Sequence, residues 1–79
     1  MIIKEKDWSA IKVTEDNIQE VLKFVDLEGE LDGAQEELVA FIELNGIPVV
    51  TKTGITLASF GSIIIESKGK FYVLNESGE

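Results

Sequence analysis

A chain of 79 residues with neither cysteine nor histidine has no disulfide, no thiolate metal site and no imidazole to serve as a base near neutral pH. Its 15 acidic and 7 basic residues give a formal charge of −8, a field that repels phosphate backbones and anionic membranes. This composition excludes Ser-His and Cys-His nucleophiles and the common zinc centres, and it disfavours nucleic acid as a direct ligand.

One domain, 1–79, is the expectation at this length. A domain so small buries only about 60–65% of its unfolded surface. Its stability must come from the apolar 44% of the chain, from good turns and from any partner subunit. The start, Met1-Ile2-Ile3-Lys4-Glu5, is not that of a signal peptide, and no apolar run nears the roughly 20 residues that span a bilayer. A cytoplasmic place of action is the resulting expectation.

Residues 8–13, WSAIKV, have extended character. A helix is predicted over about 15–26, because Ile18, Val21, Leu22 and Val25 fall on one helical face. Thr14 or Asp16 can cap it, and Asp16 with Gln19 resembles a capping box. Residues 26–37, DLEGELDGAQEE, read as an exposed acidic loop.

Asn45-Gly46 lies between two runs rich in strand formers. Asn-Gly is the strongest short hairpin signal, because both residues accept positive φ. A hairpin is therefore favoured over the competing helix at 33–44, for which Asp32 is the cap and Gly46 the stop. Pro48 then belongs to an edge strand, or has its missing N–H on an unpaired side. Beyond it, glycine turns at Thr53-Gly54, Phe60-Gly61 and Lys68-Gly69 divide short strands. The tail, NESGE over 75–79, is polar and expected to fray.

The fold class expected is α+β: one early helix packed on a curved antiparallel sheet or small barrel of about five to six strands. The run Ile63-Ile64-Ile65 sharpens this. A strand with one wet face alternates apolar and polar residues, whereas this one is apolar on both faces. Ile63 and Ile65 point to one side and Ile64 to the other; one side packs on the helix, and the other needs the far wall of a curled sheet or a second subunit.

Candidate chemistry is sparse. Ser9, Ser59, Ser62, Ser67 and Ser77 have no evident activating base, and Lys52 or Lys68 would need burial to become one. Glu28, Glu30, Asp32 and Gly33 imitate part of a calcium loop, but the bidentate acid at its twelfth position falls on Val39. The same acids repel phosphate, so Gly29 and Gly33 form no nucleotide cradle. No cofactor and no metal is expected. An interaction surface is expected instead, drawn from Asp26, Glu28, Glu30, Asp32, Glu36 and Glu37. Trp8 and Tyr72 would mark a contact site if both stood exposed on one face.

The order of motifs resembles a family of small phage and prophage proteins. In the front segment, AIKVTEDNIQEVLKF over 10–24, the corresponding residues are Thr14, Asp16-Asn17, Val21-Leu22 and Phe24. A second block, Pro-Gly-Asp-Trp/Tyr-Ile-Ile followed by Gly-Glu-Phe-Tyr in the family, is matched by Phe60-Gly61-Ser62-Ile63-Ile64-Ile65 and Gly69-Lys70-Phe71-Tyr72. Here Ser62 stands where the family has Asp, Ile63 where it has an aromatic, and Val13 where the front strand has Trp. The resemblance implies a virus-derived gene and a helix on an antiparallel sheet, but no reaction.

Three functions follow as expectations. The first is a non-enzymatic phage accessory protein that binds a host or phage protein in the host cytoplasm, or on the virion, homo-oligomerisation being one form of that contact. The second is a counter-defence inhibitor, either an acidic mimic of nucleic acid or a sponge for a nucleotide signal held near Lys52, Lys68 and Lys70. The third, a carboxylate hydrolase, needs two acids converging in a pocket.

Overall fold

The structure, a computed structural model, describes residues 2–27, 29 and 33–74. The elements run β1 (Ile2–Lys4), β2 (Ser9–Lys12), α1 (Ile18–Phe24), α2 (Gln35–Asn45), β3 (Ile47–Thr51), β4 (Gly54–Ala58), β5 (Ile63–Ser67) and β6 (Lys70–Leu74). Six strands form one open sheet in the order β1-β2-β5-β6-β3-β4. Every pairing is antiparallel except β3 with β6, which is parallel and joined at Thr51 and Phe71. The α+β class is thus as expected, and the sheet is mixed and open rather than a closed barrel.

Both helices pack on one face. Ile11 of β2 pairs with Ile64 of β5, and Ile64 with Val73 of β6. This row lies under Ile18, Val21 and Leu22 of α1 and Leu38 and Ile42 of α2, in a core completed by Ile47, Val49 and Ala58. Phe24 meets Phe71 edge to face at a centroid distance of 6.2 Å, a geometry favoured by the ring quadrupoles.

α1 is shorter than the periodicity predicts, and neither Thr14 nor Asp16 caps it. Asn17 holds the cap position and reaches backwards: its Oδ1 accepts from the Thr14 N–H at 2.9 Å, and its Nδ2 donates to the Lys12 C=O at 2.8 Å. Those bonds make residues 14–17 a turn between β2 and α1. At the other end Leu27 N–H bonds Leu22 C=O at 2.7 Å and Asp26 N–H bonds Lys23 C=O at 3.2 Å, with Asp26 at φ 65°. This is a Schellman ending built on aspartate instead of glycine.

Residues 35–45 are helix, so the hairpin expected at Asn45-Gly46 is wrong. Positive φ serves a helix terminus as well as a hairpin. Gly46, at φ 79°, ends α2, and its N–H bonds Ile42 C=O at 2.8 Å. Asp32, expected as the cap of that helix, lies outside the described residues; Ala34 holds the cap position. Its N–H donates to Glu37 Oε1 at 3.0 Å, the backward half of a capping box; alanine has no oxygen to complete it. Gln35 Nε2 donates to Glu15 C=O at 2.8 Å and ties the two helix starts together.

The glycine-divided strands β3 to β6 stand where the sequence places them. Pro48 is not on an edge strand, since β3 lies between β6 and β4. It stands, however, where β3 has only β4 paired beside it, so proline there costs the parallel link nothing. The tail at 75–79 lies outside the described residues.

Candidate functional site

The side of the sheet away from the helices is the dominant surface feature. Strand alternation places there Ile3, Ala10, Ile65 and Tyr72, paired in one continuous row across β1, β2, β5 and β6. The next row holds Lys12, Ile63 and Leu74. On the β3–β4 pair, Val50 faces Ile55 and Pro48 faces Leu57. The strand positions of this face include no acid, and their only polar residues are Lys12, Ser67 and Lys70.

No element of the described chain lies over this face. Val50 is 70% exposed, Ile55 69%, Leu57 56% and Leu74 54%. A solvated sheet face normally alternates with the core in polarity. Here both faces are apolar, and one is bare.

The isoleucine run is thereby resolved, and the side that the sequence left open is settled. Ile64 is wholly buried beneath the helices, while Ile63 and Ile65 point to the bare face and are half-buried by their neighbours. The pairing with Ile11 and Val73 decides this, because a strand's neighbours set which alternate residues turn inward.

Trp8 and Tyr72 are exposed to 41% and 42%. The Glu5 N–H bonds the Trp8 C=O at 2.7 Å, extending the β1–β2 ladder by one residue pair. Alternation from Ala10 then carries Trp8 to the bare face, where Tyr72 also lies. The two aromatics thus mark one side of the molecule.

The acids do not join them. Asp26 follows α1, and Glu36 and Glu37 occupy the first turn of α2, all exposed on the helical side. Glu28, Glu30 and Asp32 lie outside the described residues, and with them the imitation of a calcium loop. Sequence reading missed a different grouping. Glu15, Asp16, Glu36 and Glu43 line an open groove of about 400 Å³ between the start of α1 and α2. All four are exposed, and Val39 and Ala40 lie among them in the lining. The Gln35 bond to Glu15 that builds the groove spans 20 positions and left no local signal.

Of the three lysines considered for a nucleotide, Lys52 lines an open hollow of about 320 Å³ with Thr51, Thr53 and Thr56. Thr51 Oγ1 donates to Gly54 C=O at 2.8 Å, so that hydroxyl serves the β3–β4 turn. Ser59 and Ser62 hydroxyls stand 3.4 Å apart. Among the described residues no group of three or more Asp or Glu side chains is placed to hold a metal, and no helix is long and apolar enough to cross a membrane. Compared with known proteins, the chain matches no family model, no curated protein and no solved structure.

Proposed function

We propose that this protein is a non-enzymatic binding module, encoded by a phage or prophage and acting in the host cytoplasm, that works by protein–protein contact through the bare face of its sheet. The observation that carries the reading is the run of exposed apolar side chains on that face, Val50, Ile55, Leu57 and Leu74 among them. Four strands of about 17 Å, with β2 at about 14 Å and β1 at about 10 Å, give at about 4.8 Å spacing a face of roughly 440 Å². Contiguous apolar patches of that size mark interaction sites. Covering it removes up to about 11 kcal/mol of apolar exposure at about 25 cal/mol per Å², against an association cost of about 4–15 kcal/mol. The contribution of the partner's own surface tips that balance.

The test is affinity capture from host lysate with the wild type and with Val50→Glu/Ile55→Lys, followed by purification of the captured protein and a direct titration. The double variant should bind at least about a hundredfold more weakly, as expected when charge replaces a buried apolar contact. Equal affinity for the two forms would remove the sheet face from the interface.

A second reading draws on the acids of the helical side, of which Glu15, Asp16, Glu36 and Glu43 line one groove. It is a counter-defence inhibitor that sets carboxylates where a nucleic-acid enzyme expects phosphates. Glu36→Lys/Glu43→Lys should abolish inhibition of such an enzyme; undiminished inhibition counts against this reading.

A further inference from the structure

We propose that the occupant of the bare face is a second copy of this chain, docked face to face about a two-fold axis; the inference rests on the reading of that face as the binding surface. The pair would be a two-sheet sandwich with a helix layer outside each sheet, an arrangement in which aligned sheets share an apolar interior.

Charge is the first argument. At −8 per chain, self-association should be opposed, yet the strand positions of this face hold no acid, and Glu5, brought beside Trp8 by the added β1–β2 pair, stands at its margin. The acids of α1 and α2 stand behind the sheet. With about 10 Å between stacked sheets and a helix layer behind each, the acidic helices of the two copies lie roughly 30 Å apart. That exceeds the screening length of about 8 Å at physiological salt. Lys12 and Lys70 occupy opposite strand ends of the face, where long side chains can carry their charge to water at the rim.

Area is the second. A face of roughly 440 Å² on each copy gives about 880 Å² in total, the size of weak and reversible interfaces. The sequence itself is the third. The residues outside the described set hold two large apolar side chains, Met1 and Leu31, the rest being polar, acidic or glycine. No segment among them has the apolar surface to cover six strands. A second copy brings an equal face with the same distribution of charge, and a two-fold axis makes one patch serve both partners.

Sedimentation velocity over about 1–200 μM brackets the affinities open to an interface of this size. The wild type should pass from one chain mass to two. Emission of Trp8, the sole tryptophan, should shift to the blue over the same range as its surroundings dry. Val50→Glu/Ile55→Lys sets opposite charges at a cross-strand pair, which the strands tolerate. It should keep the wild-type circular dichroism and weaken pairing at least about a hundredfold. Leu57→Glu is the second variant, should the first not fold.

A single chain mass throughout the series overturns the proposal. So does a dimer of equal affinity in a folded face variant, which would place the contact at the sheet edges. If the wild type stays a monomer while a purified partner binds it and not the face variant, the binding face stands and the second copy falls. If neither self-association nor partner binding responds to the substitutions, both readings fall.

Discussion

Val50 and Ile55 face each other across the β3–β4 pair, both about 70% exposed, on the side of the sheet that no helix covers. Two β-branched residues so placed help the strands pair but add little burial to the lone chain. Val50→Thr/Ile55→Thr keeps the branching at Cβ and removes apolar surface. At low concentration this variant should unfold in urea within about 0.5 kcal/mol of the wild type, as exposed substitutions do. If the bare face is occupied by a second copy, the wild type's melting temperature rises with protein concentration and the variant's does not. A loss beyond about 1.5 kcal/mol in dilute solution would place these residues in the monomer's core.

The three consecutive isoleucines of β5 should differ sharply in what they contribute. Ile64 is wholly buried between Ile11 and Val73, while Ile65 is half-covered on the other face. Ile64→Ala should cost about 2–5 kcal/mol through lost transfer energy and an unfilled cavity. A domain of this size has about 4–12 kcal/mol in all, so the variant stands close to unfolding. Ile65→Ala should cost about 1 kcal/mol in dilute solution, since its neighbourhood already meets water. Urea titrations of the two variants would reveal equal losses if the assignment of faces were wrong.

The parts of the fold legible in the sequence are those set by local chemistry. Lys68 and Gly69 both take positive φ between β5 and β6, and Gly54 does so at the start of β4. Turn residues announce such positions without knowledge of the partner strands. Ile18, Val21 and Leu22 announce α1 by spacing alone. α2 was obscured because its outward residues are apolar. Leu44 is 84% exposed and Phe41 41%, so the segment reads as a strand-rich run in place of a clean amphipathic helix. β1 has three residues, all exposed, and so carries no alternation to detect. The bare face was legible as an excess of apolar residues, and Trp8 and Tyr72 as its markers. Which isoleucine turned inward was not legible, because strand pairing decides it.

Gly46 is the position where α2 must give way to β3 at once. It lies at φ 79° and ψ 172°, a region open essentially to glycine alone. A Cβ there would stand 3.1 Å from the Cβ of Leu57 and 3.3 Å from the Ala58 C=O oxygen. Gly46→Ala should therefore destabilise by about 2–3 kcal/mol, from backbone strain with crowding added. Gly69→Ala is the control, since φ is 81° there but nothing lies within 4 Å of the added carbon. It should lose only the strain, about 1–2 kcal/mol. Equal losses in thermal melts would show that the approach of β4 to residue 46 is looser than described.

Asp26 combines two unfavourable conditions in one exposed residue. Its φ of 65° is the left-handed conformation that closes the Schellman ending of α1, where asparagine is better suited than aspartate. Its carboxylate also stands at the negative end of the helix dipole, a contact that costs about 0.3–1 kcal/mol. Asp26→Asn keeps the shape, relaxes the backbone and removes the charge. The chain should gain about 0.5–1 kcal/mol, and raising the salt concentration should shrink the gain as the dipole contact is screened. Asp26→Ala removes the same charge but is poorly suited to positive φ, so it should gain less than Asp26→Asn or lose stability. Were alanine to stabilise as much as asparagine, charge alone would account for the effect and the left-handed ending of α1 would not be a constraint on residue 26.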